Sequence, residues 1–199
     1  MKEKKDKRIR TSTAKMILAG AVLSVFLFTF MYTRAVGKRQ QNIEAQATAD
    51  VFTTMNLKDY EGNTVTSELF SHSKITVVNV WETTCTACIA EFPEMEVVTQ
   101  EINPEEVQII GICADLIDKN GDISPELTAE AKEILDMSGA TFLQLYPDEK
   151  TRDFIRANVS GFPTNFFVDS SGAIIDYRAG SRNRDGWHEM INEFLEKVE

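Results

Sequence analysis

The sequence of 199 residues predicts an α/β domain, with a mixed sheet flanked by helices, preceded by one N-terminal transmembrane helix. Three observations predict this arrangement. Strand-like runs alternate with helix-like runs through residues 51–199, which is typical of parallel strands joined by crossover helices. An uncharged run, Met16–Tyr32, is long enough to be a membrane helix. Two cysteines, Cys85 and Cys88, stand where a strand-like run gives way to a helix-like one.

The uncharged run holds seventeen residues, which span roughly 26 Å as a helix, against about 30 Å for a bilayer core. Seven basic residues precede the run and three follow it, and the more basic flank stays in the cytoplasm. We therefore expect a basic cytoplasmic terminus at 1–15, a single-pass cell-membrane anchor at 16–33, a linker at 34–50 and an extracytoplasmic domain at 51–199. The alternative is a signal peptide cleaved near residue 37, which would leave the domain secreted. The length of the run favours the anchor.

The charge of the chain is unevenly distributed. Residues 1–40 hold ten of the 21 basic residues and two of the 31 acidic ones, which leaves residues 41–199 with a net charge of −18. Such an acidic body is unsuited to nucleic acid or to an anionic membrane surface, and we expect neither as a binding partner. Its simplest consequence is solubility.

The domain begins with a predicted β-hairpin. Its strands are FTTMNL at 52–57 and NTVTS at 63–67, joined by a turn at Gly62. A run of β-forming residues at 75–80 follows as a buried strand. The next helix is expected to begin near Thr86 and to contain a proline, which removes a backbone donor and should kink the helix.

Beyond this helix, strands and helices continue to alternate. The strand EVQIIGICA, residues 106–114, lacks polar alternation, as expected for a strand buried on both faces. A long connection at 116–128 reads as a central insertion. The remaining predicted elements are helix 125–137, strand 141–146, helix 150–157, a turn at 161–164, strands 165–169 and 173–180 joined by a hairpin turn, and helix 185–198. This order implies a mixed, buried sheet.

Cys85 and Cys88 form a Cys-x-x-Cys pattern at a strand-to-helix turn, which indicates a thiol–disulfide redox site. Cys85 is the predicted nucleophile, because the unpaired amides at a helix N-terminus stabilise its thiolate. Cys88 is the predicted resolving thiol, and the pair would form a redox-active disulfide. A structural disulfide and half of a metal site are the alternatives. Zinc needs four ligands, and the sequence has neither a second cysteine pair nor a histidine pair nearby.

Chemically reactive or charged side chains outside the cysteine pair include those of Glu82, Cys113, His72 and His188. Glu82 would oppose ionisation of Cys85 if its carboxylate faced the sulfur. Cys113, the third cysteine, is interpreted as a small buried apolar residue. His72 and His188 are separate from every motif, and we expect both on the surface.

The ordered combination of VNVW, CTAC, the following Glu-Phe-Pro, IIGICAD and GFPTNFFVDSSG resembles a known family. It is similar to the thioredoxin fold, and specifically to the membrane-tethered ResA/TlpA-like thiol–disulfide oxidoreductases of the redoxin, or AhpC/TSA, superfamily. The resemblance covers residues 52–199. The chain departs from the family pattern at Glu82, Thr84 and Ala87, where the family commonly has a small residue, a tryptophan and a proline. These departures bear on reduction potential and partner choice.

The resemblance also implies roles for residues outside the cysteine pair. Glu91, three residues after Cys88, would exchange a proton with the resolving thiol, an ordinary surface glutamate being the alternative. Pro163 would be a cis-proline packed opposite the cysteines, and the backbone at Phe162 would pair with an extended segment of the partner. Trp81 would shield the redox turn and contact substrate, although a core aromatic fits as well.

The expected function is a thiol–disulfide oxidoreductase that reduces disulfides in exported proteins, for cytochrome c maturation or redox repair. It would use the Cys85–Cys88 pair as its only redox group, with no metal and no other cofactor, and a membrane thiol donor would re-reduce it. We expect a monomer. A thiol peroxidase is one alternative, but peroxiredoxins have a threonine where this chain has Glu82. A copper-delivering or purely binding module is the other, but such copper chaperones space their cysteines by three residues and add a distant histidine.

Overall fold

The computed structural model describes residues 51–118 and 120–198. Its centre is a seven-stranded sheet with the order β2-β1-β5-β4-β3-β6-β7. The pairs β3–β4 and β4–β5 are parallel and the other neighbours are antiparallel, so the predicted mixed sheet is confirmed. The strands are β1 Asn56–Asp59, β2 Thr64–Thr66, β3 Ile75–Trp81, β4 Val107–Cys113, β5 Gln144–Tyr146, β6 Thr164–Asp169 and β7 Ile174–Ala179.

In the described residues, three helices and one short 3-10 helix, Ser67–His72, lie between strands, and a fourth helix follows β7. The helices are α1 Thr86–Glu101, α2 Pro125–Ser138, α3 Glu149–Asn158 and α4 Arg184–Val198. Three of them begin at side-chain caps: Cys85 for α1, Ser124 for α2 and Asp148 for α3. The helix α1 continues past Pro93 to Glu101, so the proline does not end it.

The sheet separates two hydrophobic cores. Alternate side chains of β3 point to opposite sides, because successive residues of a strand face opposite ways. Val77 and Trp81 lie in a core formed with α1, α2 and α4. Val78 and Val80 lie in a second core formed with α3, the 3-10 helix and residues 51–57. Strand β3 is therefore buried on both faces, and the predicted buried strand at 75–80 is confirmed.

The start of the domain differs from the prediction. Residues 51–53 are helical and strand β1 begins only at Asn56, so the predicted strand at 52–57 is wrong in its first half. The side chains of Phe52 and Met55 are buried in the second core, so apolar residues at these positions do not require a strand. The hairpin itself is confirmed, with Gly62 at a φ of 89° in its turn.

The central insertion carries little regular structure. Ile117 and Ile123 form an isolated antiparallel bridge, and Ser124 then caps α2. The predicted segments at 1–15, 16–33 and 34–50 lie outside the described residues. Within 51–118 and 120–198, no helix is long and apolar enough to cross a membrane.

Candidate redox site

Cys85 lies at the junction between strand β3 and helix α1. Its main-chain N–H donates to the carbonyl of Glu82 at 3.0 Å, which closes a tight turn after the strand. Its Sγ accepts the N–H of Cys88 at 3.1 Å and thereby caps the helix. The side chain is partly exposed. The sulfur therefore sits at the positive end of the helix dipole, within reach of an incoming disulfide.

Cys88 lies one turn into α1 and is fully buried. It forms a disulfide with Cys85, with a Cα–Cα distance of 5.3 Å. The two cysteines are therefore unequal, because an external reactant reaches Cys85 far more readily than Cys88. This asymmetry is what sequential attack and resolution require.

Glu91 follows Cys88 on the same side of α1 and is only 2% exposed. Burial raises the pKa of its carboxyl to about 7, and the bond from the Arg182 main chain opposes that rise. Its Oε1 accepts the Arg182 N–H at 2.6 Å. The buried indole N–H of Trp187 also acts on the Glu91 carboxyl and lowers its pKa, although within the described residues neither this N–H nor Oε2 of Glu91 makes a hydrogen bond of good geometry. A buried carboxyl with a pKa near neutrality is able to hold or release a proton at physiological pH.

The Phe162–Pro163 peptide bond is cis, as the resemblance implied. Pro163 is buried and its carbonyl accepts the Gly180 N–H at 2.8 Å. Phe162 is partly exposed and contacts both hydrophobic cores. The residue ahead of the proline thus has surface available to a partner.

Trp81 ends strand β3 and has no exposed surface. Its indole N–H donates to Oε1 of Gln144 at 3.0 Å, and its ring meets Phe92 edge-on at 4.9 Å. Because Trp81 is completely buried, it cannot make the direct substrate contact that we expected. Its burial fits the alternative, a core aromatic residue. The Gln144 side chain occupies the space that Gly111 leaves open, since a Cβ at Gly111 would lie 2.2 Å from Oε1.

Asp115 supports the redox turn from the neighbouring strand end. Its carboxylate accepts the Thr83 hydroxyl at 2.7 Å and the Thr83 N–H at 3.1 Å. It also accepts the S–H of Cys113 at 3.0 Å. Cys113 is buried as predicted, and burial followed by this bond raises the pKa of its thiol. Sequence reasoning missed Asp115, although it follows β4 where β3 and β4 end at the same edge of the sheet.

A cavity of about 290 Å³ lies beside the redox turn. Glu82 and Phe162 line it on the side of the cysteines, Ile117 comes from the central insertion, and Arg152 and Arg156 come from α3. Burial, followed by the charge of Asp115, raises the pKa of the Glu82 carboxyl. The cavity therefore combines apolar side chains with charges of both signs, and Glu82 places it at the turn that precedes Cys85.

Residues 51–118 and 120–198 contain no group of three or more His, Cys, Asp or Glu side chains that could hold a metal ion. His72 is exposed, whereas His188 is partly exposed and lies 2.8 Å from the Glu101 carboxylate. Arg184 binds the same carboxylate, so this cluster joins α4 to the end of α1.

The sequence from residue 48 to residue 178 matches the AhpC/TSA family. The chain belongs to the AhpC/TSA family. The thiol:disulfide interchange protein DsbE of Haemophilus influenzae is 30% identical over 140 residues, which is 70% of this chain and 69% of the relative. The thiol-disulfide oxidoreductase ResA of Halalkalibacterium halodurans is 25% identical over 193 residues and 97% of each chain.

Solved structures agree with this placement of the AhpC/TSA chain. A putative thiol:disulfide interchange protein DsbE from Chlorobium tepidum has a TM-score of 0.55 and 21% identity, over 71% of this chain and 92% of that one. StoA from Bacillus subtilis has a TM-score of 0.52 and 17% identity, over 68% and 93%. These likenesses show the thioredoxin-like fold. The activity follows from the relatives and the Cys85–Cys88 pair, which make this family member a thiol–disulfide oxidoreductase.

Proposed function

We propose that this oxidoreductase reduces disulfides in exported proteins, with Cys85 as nucleophile and Cys88 as resolving thiol. The observation that carries the proposal is the asymmetry of the pair, in which a partly exposed Cys85 caps α1 and a fully buried Cys88 lies behind it. The reaction needs no cofactor beyond this pair.

The exchange proceeds in two balanced steps. The Cys85 thiolate attacks one sulfur of the partner disulfide, forms a mixed disulfide and releases the other partner sulfur as a thiolate. The Cys88 thiolate then attacks Sγ of Cys85, which frees the second partner thiol and closes the Cys85–Cys88 disulfide. Two electrons pass to the partner in each cycle. A membrane dithiol must return them for the next cycle.

Glu91 takes the proton of Cys88 during the resolving step. Its burial on the same helix, one turn beyond the cysteine, supports this role. A pKa of about 7 suits a group that must accept a proton from a thiol and give it back in the same cycle.

The partner docks along the backbone at Phe162 and over the adjoining cavity. The partial exposure of Phe162 and the apolar wall at Ile117 support this placement, since an extended peptide gains both main-chain bonds and a side-chain pocket there. Glu82 and the arginines of α3 on the same cavity then select among partner side chains by charge.

The domain works on the outer side of the cell membrane, tethered by residues 16–33 as a monomer. The uncharged run at 16–32 and its heavier N-terminal basic flank support this location. Cytochrome c maturation or the repair of oxidised exported proteins is the corresponding task. The sequence match to relatives described as thiol:disulfide interchange proteins supports that class of reaction.

Trapping the mixed disulfide tests this proposal. In Cys88→Ala the resolving step is blocked, so the full-length protein expressed in cells should accumulate a covalent adduct that reductant removes. Cys85→Ala is the matched control and should form none. Equal adduct levels in the two variants, or none in either, would contradict the assignment of nucleophile and resolving thiol. Peroxide consumption by the purified wild type at a rate exceeding its disulfide exchange would instead indicate a peroxidase.

A further inference from the structure

Within residues 51–118 and 120–198, Asp115 is the one charged side chain that bonds directly to the segment between β3 and Cys85. It accepts both the N–H and the hydroxyl of Thr83, and Thr83 is only 3% exposed. A carboxylate that accepts two donors from a single residue fixes both the position and the rotamer of that residue. The turn that carries Cys85 is therefore anchored to the end of β4.

The Asp115 side chain is itself held in place. Cys113 pairs with Trp81 in the β3–β4 register, so the two strand ends lie side by side. Its S–H donates to Oδ1 of Asp115, which orients the carboxylate toward the turn. Cys113 is thus the third donor to Asp115, after the N–H and the hydroxyl of Thr83. No disulfide or metal is needed to explain Cys113.

The charge of Asp115 reaches the redox turn. It adds to the rise of the pKa of Glu82, whose carbonyl accepts the Cys85 N–H. The other titratable groups on this side are Cys113 and the phenol of Tyr60, both buried and both with a pKa raised chiefly by burial. Because the Asp115 charge acts on the turn that carries Cys85, it disfavours a thiolate there, and the dithiol state with it.

We propose that Asp115 is a positioning residue for the exchange reaction: through Thr83 it fixes the turn that holds Cys85 at the helix N-terminus, and its charge favours the disulfide over the dithiol. This inference rests on the thiol–disulfide exchange function proposed above. It makes Asp115 a determinant of how strongly reducing the pair is.

The test equilibrates the purified protein with glutathione, where two glutathione thiols become one glutathione disulfide as Cys85–Cys88 becomes a dithiol. Asp115→Asn keeps an acceptor for Thr83 but removes the charge. We expect its equilibrium to shift about tenfold toward the dithiol, a potential about 30 mV higher than that of the wild type. The matched control is Asp136→Asn, an exposed carboxylate on α2, which should leave the equilibrium unchanged.

A second pair of variants tests the positioning role and does not depend on the folding of Asp115→Asn. Thr83→Val removes the hydroxyl bond, whereas Thr83→Ser keeps it. We expect alkylation of reduced Cys85 by iodoacetamide at pH 7 to slow at least threefold in Thr83→Val and to return to the wild-type rate in Thr83→Ser. Equal rates for the two, or an Asp115→Asn equilibrium within twofold of the wild type, overturn the inference. A wild-type pair that exchanges with neither glutathione nor dithiothreitol refutes the exchange function itself.

Discussion

Oε1 of Glu91 accepts the main-chain N–H of Arg182 at 2.6 Å, which ties the helix of the redox cysteines to the segment that leads into α4. The two residues are 91 positions apart in the chain. The bond satisfies only one oxygen of a carboxyl that is almost completely buried. Burial therefore dominates the ionisation of Glu91, and two of our predictions follow from it.

The first prediction concerns stability and pH. The folded-state pKa of Glu91 is about 7, above its ordinary value, so the folded protein binds this proton more tightly than the unfolded chain. The resulting stabilisation is complete below about pH 4.5 and is lost as the pH rises through 7. Glu91→Gln cannot ionise, so at pH 8 it should be more stable than the wild type by about 3 kcal/mol, with the advantage vanishing near pH 5.

Urea unfolding at pH 5 and pH 8 measures this difference. Glu94→Gln, three residues further along α1 and partly exposed, is the matched control and should show no comparable pH dependence. A Glu91→Gln protein that loses stability between pH 5 and pH 8 as steeply as the wild type would contradict the assignment.

The second prediction concerns the rate of exchange. If Glu91 takes the proton of Cys88, Glu91→Gln should slow resolution of the mixed disulfide about 100-fold at pH 7. This factor is the lower end of the rate loss that removal of a general base typically causes. Attack by Cys85 should be far less affected. Stopped-flow measurement of each step with a disulfide peptide separates the two. Equal slowing of both steps would point to a general structural defect.

The third prediction concerns the core beneath the redox turn. A Cβ at residue 111 would lie 2.2 Å from Oε1 of Gln144, so Gly111→Ala must displace that side chain and leave the Trp81 N–H without its partner. The expected cost is about 1–3 kcal/mol of unfolding free energy. Because Gln144→Ala already removes the obstacle, Gly111→Ala should cost much less in that background. An equal cost in both backgrounds would show that Gln144 is not the obstacle.

The fourth prediction concerns Glu96, which joins α1 to the residues ahead of β5. Its carboxylate accepts the N–H of Thr141 at 2.7 Å, the Thr141 hydroxyl at 2.9 Å and the Gln100 amide at 3.0 Å. Burial alone would raise the pKa of Glu96, but these bonds outweigh it and the pKa lies below its usual value. The stabilisation is therefore present above about pH 4.5 and lost as the pH falls further.

Glu96→Gln should cost about 1–3 kcal/mol at pH 7, because an amide accepts fewer of these bonds, and less at pH 3. Guanidinium unfolding at the two pH values measures it. The exposed Glu130→Gln on α2 is the matched control and should cost little at either pH. A cost for Glu96→Gln that is the same at pH 3 and pH 7 would contradict an ionised, hydrogen-bonded Glu96.

Strong local patterns made much of the fold predictable. The two parallel strands β3 and β4 are long, apolar and buried on both faces. The helices that follow them begin at residues that the sequence marks as helix starts. The prediction failed where tertiary contacts decide the outcome. Phe52 enters a core from a helical turn and not from a strand, and Thr141 lies ahead of β5, where it bonds the Glu96 carboxylate. A short apolar run in the sequence does not by itself show where a strand begins.

The residues of the redox site likewise fall into those that local sequence predicts and those that depend on tertiary contacts. Cys85, Cys88 and Glu91 fall at helical spacing within seven residues, so their proximity follows from local structure alone. Asp115 meets Thr83 across 32 positions, and the only signal was the shared edge of two parallel strands. The bond between Glu91 and Arg182 had no sequence signal, because it depends on how α4 packs against α1.

The reduction potential of the Cys85–Cys88 pair is the most direct test of the account, since a reductant of exported disulfides must favour its own disulfide. Equilibration of the purified domain with glutathione or dithiothreitol buffers at pH 7 gives this value. We expect a potential near or below about −250 mV. A potential near about −120 mV, as in a strong oxidant, would contradict it.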